Sequence, residues 1–414
     1  MEAMDWSDLP NDILYTISMR VDHLSDYIRF GAVCRSWRSA ISDNHRHLPH
    51  HLRFPFLFLS SVPTSRDDHA LYSPFERKVH PIRLFPDRVR KERCIGSDGG
   101  WVCMVDDNLG ISLFNPFSSA VVLLPPLRTD VIQDPKPHPK HHGSLEFLPG
   151  MSGEYLRNEY TYKAVWSAEP TDPNCIVALL LRDGALLLQK ECTSNMAYCR
   201  PGDTRWTVIE TSFHLLLDAI FYKEDHRFYV VGCGYMGARV AAIGVLGEQE
   251  MELPRVDEAL QMATDLNLGS ELHLAATGGG PSGLVVVLRL LKNLNTDQNI
   301  PYRLTVGFKL FKLDETETKW VETTSLDNNG GDGNGMLFLG LNNSMWLSSR
   351  DFIKGFCQGN SVYFTDDDRF NSTYYVDLGG ESGVFHLEDG SFGSIYGNDL
   401  KYLYPHPIWV LPNP

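Results

Sequence analysis

From Phe54 to the end of the chain, short apolar runs alternate with turn signals and no helical period is visible. This is the feature that most restricts the fold. Runs such as FPFLFLSS, ALYSP and HPIRLF are bounded by Pro, Ser and charge, and Trp101 to Leu127 reads as three strands. Asp106-Asp107-Asn108-Leu109-Gly110 supplies one turn there and Asn115-Pro116 opens the next. The same grammar predicts strands at 161–166, 175–181, 185–190, 205–209, 219–222, 227–231, 238–246, 263–268, 271–276, 283–290, 305–313, 319–323, 336–339, 361–365, 374–377 and 382–387, with Arg182-Asp183-Gly184 as a hairpin turn. Strands of about five residues with turns every ~8–12 residues indicate an all-β sandwich, barrel or propeller. Some 360 residues are too many for one sandwich. At about 40–50 residues per repeat they suit a propeller of roughly six to eight blades. Phe228 and Leu272, 44 residues apart, sit in similar strands, and TRWTVI and TKWVET look alike. Closure requires the chain ends to meet, so Phe56 to Leu59 and Ala70 to Tyr72 are expected to share a blade with the strands near Phe385, or to lie next to it.

Ahead of this region, Trp6 to Ile41 carries a helical period. Leu9, Ile13, Ile17 and Val21 recur at i, i+4 and fall on one face, which Leu14 widens. Pro10 and Asp12 suit a first turn, since proline costs no hydrogen bond there and an acid favours the positive helix end. The pattern breaks at Asp22-His23, and Ser25 is expected to cap a second helix that Ile28 continues. Val33, Trp37 and Ile41 mark a third. Three helices of roughly ten residues cannot enclose their own large apolar side chains, because units below about 40–50 residues are too small to stand alone. Each such side chain left in water forfeits about 1.5–3 kcal/mol. The helices must therefore pack on another domain or another chain.

The order Leu9-Pro10, Ile13-Leu14, Ile17, Asp26-Tyr27-Ile28-Arg29-Phe30, Val33-Cys34-Arg35 and Trp37-Arg38 resembles the F-box. That family docks the Skp-type adaptor, and through it the cullin, of a ubiquitin ligase. The resemblance implies that Leu9, Pro10, Ile13, Leu14, Ile17, Ile28, Val33, Cys34 and Trp37 include the adaptor-binding surface. Further on, Gly99-Gly100-Trp101-Val102, Leu113-Phe114-Asn115-Pro116, Leu124-Pro125-Pro126-Leu127, Trp320-Val321-Glu322, Met336 to Gly340, Asn360 to Asp367 and Gly383 to Gly390 are similar to plant F-box proteins of the KIB type, with a lengthened polar insert from Leu326 to Gly335. The resemblance implies a substrate receptor of the ligase. The expected fold is mainly β with a small α N-terminal domain, a three-helix F-box followed by a β-propeller. The expected division is residues 1–45 for the helices, 46–53 for a connector and 54–414 for the β domain.

A net charge of −15 argues against non-specific binding to nucleic acid or anionic membrane. Arg29, Arg35 and Arg38 are balanced by Asp8, Asp12, Asp22 and Asp26, which disfavours a DNA-binding helix-turn-helix. LVVVLRLL is too short to span a bilayer. The acidic start MEAMDWSD lacks a signal-peptide apolar run, so the cytosol or nucleus is expected, with the eight cysteines reduced.

Catalytic patterns are lacking: the chain has no HExxH, GxSxG, C-x-x-C or phosphate-binding Walker loop. Gly278 to Gly283 reads as a hairpin tip, Asp366-Asp367-Asp368 as an exposed turn, and His386-Leu387-Glu388 as a strand with a surface histidine. The four histidines between Ser42 and Arg53 lack supporting ligands, so a solvated linker is expected rather than a metal site, and no cofactor is implied. The proline-rich, locally basic Arg128 to His142 is a candidate substrate loop, with Arg128, Lys136, Lys140 and His141 as contacts. Asp327 to Gly335 is a weaker candidate. Two other readings stand beside a receptor for an unknown protein substrate. One is a propeller enzyme acting on a small molecule, marked by His, Asp or Glu converging on the central channel. The other is a scaffold that binds the adaptor without shortening any partner's lifetime.

Overall fold

The computed structural model describes residues 6–21, 23–42, 49, 53–60, 69–82, 92–127, 132–133, 157, 161–181, 195–209, 211, 213, 215–234, 237–243, 251–252, 269–277, 283–295, 301–314, 319–326, 333–352, 356–365, 382–395 and 407–412. Three helices, α1 (Asn11–Ser18), α2 (Leu24–Ala32) and α3 (Arg35–Ser42), precede a six-bladed propeller.

The first three strands, β1 (Phe56–Leu59), β2 (His69–Ser73) and β3 (Lys78–Ile82), make an incomplete blade. The second blade is β4 (Arg93–Asp98), β5 (Trp101–Val105), β6 (Ile111–Phe114) and β7 (Val121–Leu124). The third has β8 (Ile132–Gln133) pairing parallel outside the sheet of β9 (Thr161–Trp166), β10 (Val177–Leu181), β11 (Asn195–Cys199) and β12 (Trp206–Ile209). The fourth is β13 (Leu215–Tyr222), β14 (Arg227–Gly234), β15 (Gly237–Ile243) and β16 (Met251–Glu252). The fifth is β17 (Gly269–Ala276), β18 (Leu284–Asn295), β19 (Pro301–Asp314) and β20 (Lys319–Thr323). The sixth contains β21 (Gly335–Leu339), β22 (Met345–Ser348), β23 (Ser361–Phe364), β24 (Gly383–His386) and β25 (Phe392–Gly393), with β21 and β23 parallel. Finally β26 (Ile408–Val410) pairs antiparallel with β1, Leu57 opposite Trp409, and completes the first blade.

Both faces of a blade are covered by its neighbours, so middle strands read as continuous apolar runs: FLFL in β1, WVCMV in β5 and VALLL in β10 are buried throughout. Edge strands such as β7 and β20 keep exposed positions. Among the described residues six buried clusters each join two adjacent blades, one of them with the helices as well. Between the second and third blades sit Trp101, Leu179 and Trp206; between the fourth and fifth, Val231, Leu274 and Phe311. The innermost strands β26, β4, β9, β13 and β17 follow one another around the axis. Gly96 of β4 allows a close approach there, since a Cβ on it would overlap the Ala164 carbonyl oxygen of β9.

The early strands do lie next to the blade holding Phe385, and the strand that closes their own blade is Ile408–Val410. Several other expectations change. Phe228 is in a second strand and Leu272 in a first, so their spacing is not a repeat period. Trp206 and Trp320 do lie at the start of equivalent fourth strands, as the first residue of β12 and the second of β20, apart from the added β8. His23 rather than Ser25 is the N-cap of α2, and Val33 is its C-cap rather than part of α3. The strands expected at 185–190, 263–268 and 374–377, the hairpin turn at 182–184, and most of the His-rich connector lie outside the described residues.

Candidate functional site

The helical unit is held from its ends. Pro10 adopts an extended backbone, and its carbonyl accepts from the N–H groups of Ile13 and Leu14 at 3.0 and 3.1 Å. His23 does the same for α2, accepting from Asp26 and Tyr27. The N-terminal turn Trp6–Asp8 is tied to α3 by two bonds: Trp37 Nε1 donates to the Trp6 carbonyl at 2.9 Å and Ser36 Oγ to that of Ser7 at 2.9 Å. The Trp37 ring lies against Phe30 at 4.3 Å between centroids.

One side of this unit faces the propeller. Leu14, Tyr27, Phe30 and Ala40 belong to the same buried cluster as Phe56, Phe58 and Leu71 of the first blade and Phe114 and Phe117 of the second. The other side faces water. Trp6 is 70% exposed, Ile13 48%, Ile17 37% and Val33 58%, and Pro10 is exposed as well. Of the nine residues expected at the adaptor surface, Pro10, Ile13, Ile17 and Val33 are thus outward. Leu9, Cys34 and Trp37 are half-buried, and Leu14 is fully buried. Ile28 lies on α2, with its side chain outside the described set. Sequence reasoning missed Trp6, whose signal was an aromatic three residues ahead of Leu9-Pro10. It also could not separate Leu14 from Ile13, because only the position of the propeller decides which of two neighbours faces inward.

At the propeller axis the structure brings together Lys163, Asp218 and His273 from β9, β13 and β17. Lys163 Nζ donates to Asp218 Oδ1, Ala219 N donates to that oxygen at 2.8 Å, and Leu274 N to Oδ2 at 2.9 Å. His273 Nδ1 is 3.8 Å from Oδ2. All three side chains are at most 1% exposed. A reacting group must be reached by its substrate, and this one is sealed; its geometry ties three inner strands together. Also on β17, Glu271 lies 3.3 Å from both Arg289 and Arg303, and Arg289 Nε donates to Thr305 Oγ1 at 2.9 Å. Asp98, at the end of β4, accepts from Asn343 Nδ2 at 3.2 Å; burial raises its pKa, with Lys223 and the hydrogen bonds acting against that. His386 is held by Ser361 Oγ at 2.8 Å.

Among the described residues no three His, Cys, Asp or Glu side chains are placed to hold a metal ion, and the described cysteines are all free thiols. No described helix is long and apolar enough to cross a membrane. Arg128, Lys136, Lys140 and His141, residues 278–282, 327–332 and 366–368, lie outside the described residues.

Comparison with known proteins matches residues 6–49 to the F-box domain and residues 71–386 to the KIB1-4 beta-propeller. Among curated proteins, the chain is 26% identical to the F-box protein SKIP23 of Arabidopsis thaliana, covering 98% of this chain and 96% of that one. It is 25% identical to the Arabidopsis thaliana F-box protein At2g17036, over 98% of this chain and 95% of the other. Among solved structures, TolB from Acinetobacter baumannii matches with a TM-score of 0.40 at 9% identity, over 90% of this chain and 70% of that chain.

Proposed function

Because the chain belongs to the F-box proteins that carry a KIB1-4 beta-propeller, we propose that it is a substrate receptor of a Skp–cullin–F-box ubiquitin ligase. In this reading Trp6, Pro10, Ile13, Ile17 and Val33 meet the Skp-type adaptor, and through it the cullin. Leu9, Cys34 and Trp37 lie behind or beside them, Ile28 joins the surface from α2 as the family resemblance implies, and Leu14 anchors the helices from within. The propeller holds a protein substrate. The chain breaks no bond; it raises the effective concentration of substrate near the ubiquitin-charged enzyme. It works in the cytosol or nucleus.

The observation that carries this reading is the two-sidedness of the helical unit. Burying Leu14, Tyr27, Phe30 and Ala40 against the propeller satisfies one side, while four large apolar side chains stay in water on the other. Such exposure costs about 1.5–3 kcal/mol per fully exposed side chain, which a partner surface would recover. The axial Lys163, Asp218 and His273, the convergent set that the enzyme reading would use, are sealed from a substrate.

The test is co-purification of the full chain with a Skp-type adaptor, comparing wild type with Ile13→Asp and Val33→Asp. Central apolar contacts cost about 2 kcal/mol or more when lost, so capture should fall at least about tenfold. Undiminished capture by both variants rejects the surface, and no capture by wild type rejects the function. Loss of a candidate substrate's turnover on deleting residues 6–42 separates a receptor from a scaffold.

A further inference from the structure

The turn between β21 and β22 leaves its own blade. Asn343 N donates to the Ser97 carbonyl at 2.8 Å, and Asn343 Nδ2 to Asp98 Oδ2 at 3.2 Å. The sixth blade thus reaches past the first to the end of β4 in the second. The turn is held by its own side chains. Asn342 Nδ2 donates to the carbonyls of Phe338 and Asn343 at 3.1 and 2.8 Å. A Cβ on Gly340 would overlap Thr365 Oγ1, so the chain passes there only as glycine.

This arrangement leaves acceptors over. Asn343 is 8% exposed, and its Oδ1 has no hydrogen-bond partner among the described residues; nor has the buried Oγ of Ser344 beside it. Because Nδ2 of the same amide is bound to Asp98, Asn343 Oδ1 lies next to that carboxyl group. A buried acceptor without a donor costs free energy and calls for a cause.

Asp98 is half-buried and accepts from Asn343 Nδ2 and Gly99 N. Lys223, just after β13, acts on it through space, but the lysine is exposed and no ion pair joins the two among the described residues. The turn that carries Lys223 also holds Glu224 and Asp225, which accept from the hydroxyls of Tyr222 and Tyr229. It therefore brings two acids for one lysine. Asp98 is also an acid that burial works against, and groups kept in such surroundings concentrate at functional sites.

We propose that Asp98 and Asn343 form a docking pocket at this end of the propeller axis for an arginine side chain presented by the substrate protein. The planar guanidinium donates one N–H to the Asp98 carboxylate and another to Asn343 Oδ1, neighbouring acceptors that a single fork spans, whereas an ammonium is a point charge. Asp98 gains the contact cation it lacks, and the exposed Lys223 gives way. This rests on the substrate-receptor reading and specifies one residue of the substrate.

The experiment uses the full chain bound to a Skp-type adaptor and a labelled nine-residue Gly and Ser peptide with one central arginine. The control peptide carries citrulline, the uncharged isostere, and needs no variant. The arginine peptide should bind at least about tenfold more tightly than the control, weaken with added salt, and slow amide exchange at residues 97–100 and 341–344. Asp98→Asn retains the bond from Asn343 Nδ2 and should lower the affinity about tenfold or more, with adaptor capture unchanged. Equal binding of both peptides, no detectable binding, protection confined to other parts of the propeller, or full affinity in Asp98→Asn overturns the pocket. Failure of adaptor capture in wild type overturns instead the reading on which it rests.

Discussion

The carboxylate of Glu76 lies 2.9 Å from Nε2 of His80, on the turn and strand that the first blade turns toward the helices. His23, the N-cap of α2, approaches the same oxygen at 3.4 Å. The Glu76 side chain is 5% exposed, and both imidazoles meet its one oxygen Oε2. Burial lowers the His80 pKa; Glu76 pulls it back up, and Lys78 and His23 push it down again. A histidine lowered in the folded state takes its proton more readily when unfolded, where it titrates near 6.5. Stability from this site is therefore present above about pH 6.5 and is lost as pH falls toward the lowered value. Urea midpoints measured from pH 7.5 to 5 should drop less steeply in His80→Gln than in wild type. Parallel curves would mean the site does not titrate on folding.

The axial triad makes a second prediction. Lys163→Met leaves Asp218 charged and fully buried without its ammonium, which costs about 3–5 kcal/mol. Asp218→Ala strips the acceptor from Lys163, Ala219 N and Leu274 N together and should cost as much or more. The double variant should cost clearly less than the sum, because each change spoils the same contact. Additive urea denaturation energies would show that Lys163 and Asp218 do not act as a unit.

Much of this architecture was legible in the residues, and the exceptions have physical causes. Lys319–Thr323 and the three strands of Trp101 to Leu127 were readable because turn residues bound them tightly. Ile408–Val410 was not: the four residues between Pro407 and Pro412 are too few to show a period, and only pairing with Phe56–Phe58 makes three of them a strand. The parallel step from β21 to β23 leaves no local trace either. On the helices, the i, i+4 series predicted an apolar face. Its division into an inward Leu14 and an outward Ile13 depends on where the propeller sits, which no local pattern encodes.

That division is testable by itself. Leu14→Ala opens a hole in a cluster shared by helices and two blades and should cost about 2–5 kcal/mol. Ile13→Ala, one residue away and half-exposed, should change stability by only about 0.5 kcal/mol. If thermal melts rank the two the other way, the helices pack on the propeller by a different face.

Asp98 runs opposite to the usual acid. Its pKa is raised, chiefly by burial, so the folded chain holds that proton more tightly than the unfolded one. Stability is then lost as pH rises through the range between the ordinary value of 3.8 and the raised one, and the full penalty persists at neutral pH. Asp98→Asn removes the charge and keeps an oxygen to accept from Asn343 Nδ2. The variant should melt a few degrees higher than wild type at pH 7 and lose that advantage below about pH 4. A lower melting temperature at pH 7 would show that the favourable pull of Lys223 outweighs burial.

Gly96 tests the packing of the inner ring. The ladder between β4 and β5 shifts between Cys94 and Gly96, and the glycine sits against the Ala164 backbone of the next blade. A methyl group at this position meets a carbonyl oxygen that belongs to β9 and cannot rotate away, unlike a side chain. The two strands must separate, and the strain passes to Ala164 and to the adjoining Lys163, which holds Asp218. Gly96→Ala should therefore destabilise by about 1–3 kcal/mol, although alanine normally gains over glycine in a strand. Its effect should be non-additive with Lys163→Met, since the two changes disturb adjoining residues of β9, one toward β4 and the other toward β13. Neutral urea midpoints for Gly96→Ala would show that β4 and β9 stand further apart than the packing described above.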